Sequence, residues 1–246
     1  MELTFFDCNC LLGRHIDHVA TDPYTKRELL EDMAYFGISD CLVIHARSKD
    51  NDPLLGNQTV LDECRDEPHL YPVWVLLPPA TGEMESPEIL AENIGEKNIR
   101  AAALYPKLHS FSIADWTCGS LLDMLSAKAI PLLIDISQIS WDEINQLCAE
   151  YPELSVILTS ASYRSLRYLA PLWEKTQNLY VDTSWLTISD GFEWVVKNYG
   201  PKRLVFGTRY PIFMPGGAIT ALTYANLENH VKGMIASENL KELLFL

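Results

Sequence analysis

Arg209 closes the run Leu204-Val205-Phe206-Gly207-Thr208-Arg209, a short apolar stretch that ends in a glycine turn. A guanidinium there is a permanent cation with a rigid fork of donors. It suits a carboxylate or phosphate, and it can neither ligate a metal nor lose its proton. Other polar residues close similar apolar runs. His45 ends one, Asp135 and Ser137 another, Ser160 a third, and Asp182, Ser184 and Trp185 a fourth. Imidazole and carboxylate are the usual proton carriers near neutral pH, so His45 and Asp135 are candidate general bases and Arg209 a candidate stabiliser of an oxyanion. Asn9, Arg14, Arg47, Tyr105, Lys107, His109, Ser160, Asp182 and Trp185 are the candidate substrate-binding residues. Lys49 lies in a polar loop and reads as solvated, and His15 and His18 read equally well as loop or site residues.

The elements that must hold these residues follow from apolar periodicity. Eight short runs recur: Leu3–Cys8, Cys41–His45, Tyr71–Leu77, Ile99–Tyr105, Pro131–Ile136, Ser155–Thr159, Leu179–Thr183 and Arg203–Gly207. Each is rich in branched residues, as expected of strands buried on both faces. Amphipathic segments separate them. Lys26–Phe36 aligns Leu29, Leu30, Met33 and Phe36, and Ser140–Tyr151 aligns Ile144, Leu147 and Tyr151. Helix starts are signalled at Ser86-Pro87, at the capping box Ser140–Glu143 and at Ser189-Asp190, while Gly56-Asn57 reads as a turn and cap. Eight strand–helix units predict a single α/β (β/α)8 barrel domain over residues 1–246, with its ligand site at the carboxyl ends of the strands. No glycine-rich phosphate turn follows the first strand, which argues against an open doubly wound sheet.

Composition narrows the partners. A formal charge of −14 argues against nucleic acid or an anionic membrane surface. Yet four of the six histidines and six Lys or Arg fall near strand ends, which predicts a locally positive mouth and a small-molecule anionic ligand. The amino terminus carries no signal-peptide pattern, and six scattered cysteines suit buried thiols in the cytoplasm rather than disulfides. Cys8 and Cys10 are expected on one strand face, packed toward the helices. The segment Ser237–Leu246 reads as a capped helix with Leu240, Leu243 and Leu244 on its apolar face. Its Phe245-Leu246 end suggests a homodimer contact.

Three segments carry a family resemblance. Phe5-Phe6-Asp7-Cys8-Asn9-Cys10-Leu11-Leu12-Gly13 resembles an opening Ile-Asp-x-His-x-His-x-Gly, Leu179–Ser184 resembles a seventh-strand pattern, and Gly200–Pro211 resembles an eighth-strand signature that reads Phe-Gly-Ser-Asp-x-Pro. Together they resemble the amidohydrolase superfamily, in its amidohydrolase-related (type 2) branch of metal-dependent barrel hydrolases. The resemblance implies a metal held by two strand-one histidines, histidines ending strands five and six, and a strand-eight aspartate. This chain has Asn9, Leu11, Asp135, Ser160 and Arg209 at those positions. A catalytic zinc needs about three strong donors and an open position, so the inherited set is missing. A Mg2+ ion between Asp7 and Asp135 is the remaining metal option, opposed by the charge of Arg209.

The expected function is therefore an amidohydrolase-like hydrolase for a small carboxylate-bearing substrate, working without the metal centre, or a related metal-free lyase or decarboxylase. The alternatives are an inactive descendant that binds a small anionic metabolite, and a metal hydrolase with other ligands. Arg209 is expected to compensate a carboxylate cluster of Asp7, Asp135 and Asp182 in place of the metal.

Overall fold

The computed structural model describes residues 3–14 and 25–246. Its strands are β1 (Phe5–Leu12), β2 (Ile38–His45), β3 (Leu70–Val75), β4 (Ala101–Ala103), β5 (Leu132–Asp135), β6 (Val156–Thr159), β7 (Leu179–Asp182) and β8 (Leu204–Val205). They lie side by side in chain order, each pairing in parallel with the next. Main-chain bonds from Cys8 N to Phe206 O (2.9 Å) and from Leu11 N to Tyr210 O (2.9 Å) join the first strand to the chain around and beyond β8. All eight predicted strands are present in a (β/α)8 barrel.

The helices are α1 (Lys26–Phe36), α2 (Ala46–Asp50), α3 (Pro53–Cys64), α4 (Pro87–Glu96), α5 (Asp115–Ala127), α6 (Trp141–Glu150), α7 (Leu166–Trp173), α8 (Gly191–Tyr199), α9 (Gly216–Thr223), α10 (Asn229–Gly233) and α11 (Asn239–Leu244). Local chemistry sets their ends. Thr25 and Ser140 each form a full capping box, with Glu28 and Glu143, and α4 begins on Pro87 after Ser86. No helix among the described residues is long and apolar enough to cross a membrane.

Two packed layers follow from the strand period. Phe6, Cys8, Leu42, Ile44, Val73, Val75, Leu133, Ile157 and Val205 fill the barrel interior, and Leu240 and Leu244 of α11 join them. The outward-facing set, including Cys10, Cys41, Leu70 and Leu158, packs against the helices. Asn239 ties α11 to the start of β8 through the carbonyls of Pro201 (2.9 Å) and Leu204 (2.8 Å).

Three local expectations are corrected. Cys8 and Cys10 face opposite layers, because the β1–β2 register shifts between Asp7 and Cys10 and the irregularity breaks simple alternation. Gly56 and Asn57 lie inside α3, whose cap is Asp52. Gly56 is needed there because a Cβ would stand 2.1 Å from the Ser48 nitrogen of α2, and Asn57 bonds both main-chain groups of Val75. Ser237 caps nothing. It is buried in a π-helical turn, Met234–Glu238, that joins α10 to α11 without a break. All six cysteines are free and buried.

Candidate functional site

The carboxyl ends of the strands surround a cavity of about 330 Å³, within the range typical of ligand pockets. β1 contributes Asn9 and Leu11, α2 contributes Lys49 and Asp50, and the segment after β4 contributes Tyr105 and Leu108. Asp135, Ser137 and Gln138 come from the end of β5, Thr159 from β6, and Arg209 and Ile212 from the chain beyond β8. The lining holds two cations and two carboxylates, so its charges balance and the mouth is not simply positive.

Arg209 adopts a left-handed backbone (φ 59°), which is uncommon for a residue with a Cβ, and the adjacent Tyr210-Pro211 bond is cis. Its guanidinium lies 3.7 Å from Asp135 Oδ2 and 5.4 Å from the Phe213 ring. The expected ion pair is present, but it is longer than a hydrogen bond. The Arg209 side chain is 27% exposed and donates no hydrogen bond to any described residue. Asp135 is 15% exposed; its Oδ1 accepts from Ser137 N (2.8 Å), while Oδ2 accepts no hydrogen bond from any described residue. Lys49 repeats this arrangement. Nζ lies 3.6 Å from Asp50 and 5.9 Å from the centre of the Tyr105 ring, with no hydrogen bond to a described residue. Lys49 is thus a lining residue rather than a solvated one. Burial keeps the Tyr105 hydroxyl protonated by pushing its pKa up, with the carboxylates of Asp135 and Asp50 acting the same way.

Beneath the cavity lies a closed polar layer. Asp7 is fully buried and accepts from Asn9 N (2.9 Å), Thr208 N (3.0 Å) and the Thr208 hydroxyl. Asp182 is also fully buried and accepts from Ser160 N (2.9 Å) and Asn9 Nδ2 (3.3 Å). Burial raises the pKa of both, that of Asp182 to about 6 despite its hydrogen bonds. Gly207 lets β8 approach this layer, since a Cβ there would meet Asp182 Oδ2 and Cys8 Sγ at 2.9 Å. Hydrogen bonds from the fold offset part of this burial, and Arg209 does not, since its ion-pair partner among the described residues is Asp135. Ser160 shares the left-handed conformation (φ 62°), and its buried Oγ has no partner among the described residues.

The remaining predicted residues stand apart from the cavity. His45 caps α2, with Nδ1 accepting from Arg47 N (3.1 Å). Its ring sits against Gly13, where a Cβ would fall 2.6 Å from Nε2. Arg14 and Arg47 are exposed. Lys107 donates to Ser137 O (2.8 Å), and His109 Nε2 donates to Lys49 O (2.7 Å), so both buttress the rim. Trp185 packs on Phe213 (4.4 Å between ring centres), itself beneath the Arg209 guanidinium. His15 and His18 fall outside the described residues. Sequence reasoning missed Asp50, Gln138, Thr159 and the supporting role of Thr208. Only Thr208 carried a signal, since it keeps the hydroxyl of the resembled Phe-Gly-Ser pattern.

Among the described residues, no group of three or more His, Cys, Asp or Glu could hold a metal ion. Asp7 and Asp182 are fully buried and already accept from protein donors, and Arg209 stands beside Asp135. The positions aligned with the resembled metal ligands do not fit a metal.

No protein-family model matches this chain, and no curated protein matches it. Solved structures do. A 5-carboxyvanillate decarboxylase from Sphingomonas paucimobilis is 12% identical with a TM-score of 0.74, covering 100% of both chains. A protein described as amidohydrolase II is 13% identical (TM-score 0.75), covering 98% of this chain and 100% of its own. A dihydroxybenzoic acid decarboxylase from Polaromonas sp. JS666, solved with manganese and 2-nitroresorcinol, is 12% identical (TM-score 0.75), covering 100% of this chain and 98% of its own. At such identities the likeness is one of fold: the chain shares the (β/α)8 architecture of these amidohydrolase-type barrels over nearly its whole length.

Proposed function

We propose that this protein binds a small carboxylate-bearing molecule at the barrel mouth and acts on it by hydrolysis or decarboxylation without a metal centre. One observation carries the reading. Arg209 and Lys49 both line the cavity, and neither spends a donor on a described residue. Charged donors partly withdrawn from water without protein acceptors favour a ligand that supplies them, and a carboxylate does so. Asp135, with Oδ2 turned to the same space, is the proton-accepting group of this reading, and the Tyr105 hydroxyl is a further donor. The solved decarboxylases and the amidohydrolase of the same fold support the reaction classes, at fold level only.

A second reading, a binding protein without turnover, is favoured by the histidines. No described histidine lines the cavity, and His45 and His109 are committed to main-chain partners. The deciding experiment incubates the purified protein, after chelator dialysis, with a library of small carboxylic acids and amides. Binding and product are followed together by calorimetry and mass spectrometry. Turnover lost in Asp135→Asn and Arg209→Ala supports the enzyme, and tight binding without product supports the second reading. Activity that needs added metal overturns the metal-free mechanism.

A further inference from the structure

The cavity offers an acceptor beside its donors. Asp135 Oδ2 and the Arg209 guanidinium stand 3.7 Å apart, facing the same space, and neither makes a hydrogen bond to the other or to any described residue. A plain carboxylate that took the Arg209 donors would bring a second negative charge against Asp135, and the same cavity already holds Asp50. In a partly buried site that repulsion is weakly screened. A ligand that carries a cationic nitrogen next to its carboxylate removes the conflict. Its carboxylate satisfies Arg209, its ammonium satisfies Asp135 Oδ2, and the two lining charge pairs stay balanced. An α-amino carboxylate bears both groups on one carbon, side by side, as Arg209 and Asp135 stand. Leu11, Leu108 and Ile212 leave apolar wall for a side chain.

We propose that the ligand of this cavity is a zwitterionic amino carboxylate, held through its carboxylate by Arg209 and through its ammonium by Asp135. The proposal rests on the carboxylate-binding reading, narrows its ligand class and gives Asp135 to ligand binding in place of proton transfer. It requires no metal and no covalent step.

Matched compounds test it on the wild-type protein by titration calorimetry at neutral pH. Each of the common L- and D-amino acids is compared with its deaminated acid and its decarboxylated amine, for example phenylalanine, 3-phenylpropanoate and 2-phenylethylamine. The expected result is at least one amino acid binding roughly tenfold or more tightly than both partners, a difference of about 1.4 kcal/mol. Asp135→Asn is expected to abolish the preference over the deaminated acid while leaving that acid bound. If deaminated acids bind through Arg209 as tightly as, or more tightly than, their amino acids, the zwitterion is overturned and the carboxylate reading survives. If neither class binds, both fail. The wild-type comparison stands even if a variant does not fold.

Discussion

Arg203 and Arg209 bracket β8, and the two ends of one strand use the same side chain in opposite ways. Arg203, 6% exposed, donates to the carbonyls of Trp173 (3.2 Å), Thr176 (2.8 Å) and Leu179 (3.4 Å) and to Gln177 Oε1 (3.1 Å). Arg209 donates to none of the described residues. A guanidinium at the amino end thus closes the turn between α7 and β7, and one at the carboxyl end lines the cavity with no acceptor among the described residues. The same division separates the carboxylates. Asp7 and Asp182 are fully buried and accept from donors of the fold, whereas Asp135 lines the cavity and its Oδ2 accepts from no described residue. Satisfaction, more than residue type, separates the charges that serve the fold from those that line the cavity.

The sharpest way to break this contrast is to remove Arg203. Arg203→Ala takes the donor from the buried carbonyls of Trp173 and Thr176, while Leu179 O keeps Trp173 Nε1, and is expected to cost about 3–5 kcal/mol in urea unfolding, from charged hydrogen bonds and lost packing. A loss below about 1 kcal/mol would show that Arg203 is no more committed than Arg209.

Asp182 gives the next largest effect, read through pH. Its folded pKa, raised to about 6, lies above the unfolded value of about 3.9, so the native state holds its proton more tightly. Between those values stability falls as pH rises, and the decline levels off above about 6. The Asp182 share of that fall is about 2–3 kcal/mol, visible as the difference between wild type and Asp182→Asn in unfolding curves from pH 4 to 7. Parallel curves for the two proteins would mean that the buried layer ionises without cost.

Arg209→Ala is expected to leave unfolding free energy within about 1 kcal/mol of wild type, because its ion pair with Asp135 is long and partly exposed. Carboxylate binding should weaken roughly 10- to 150-fold, the value of one charged hydrogen-bonding group. Arg209→Lys keeps the charge without the fork and should recover only part of that loss. A large stability loss with unchanged binding would make Arg209 a second Arg203.

Strand period and helix caps exposed the barrel and its mouth in the sequence, because buried parallel strands and capping boxes depend on neighbours close in the chain. Arg209, Asp135, Asn9 and Tyr105 could be placed at the mouth for the same reason. What stayed hidden depends on partners far apart. Nothing local to Asp7 reveals that Thr208 donates to it, and nothing around Ser48-Lys49-Asp50 reveals a short helix seated against Gly56 that aims Lys49 inward. Cys8 was misplaced because a register shift leaves no pattern in one strand. His45 ended an apolar run, as a site residue would, yet a cap occupies the same sequence position as a catalytic group.

His45 carries the smallest and most discriminating prediction. It supports the ligand-facing side without lining it: Nδ1 receives Arg47 N at the start of α2, the helix that presents Lys49 and Asp50. Losing a cap costs about 1 kcal/mol, so His45→Ala should lower unfolding free energy by about that amount. Ligand affinity should fall only a few-fold, through loosening of α2, and His45→Asn, which restores an acceptor at the cap, should regain most of both. A catalytic base would behave otherwise. Turnover would collapse in both variants, and the pH dependence of the rate would lose an ionisation near neutrality. That outcome would move His45 into the site and place the ligand nearer to Gly13 than the cavity between Lys49 and Arg209.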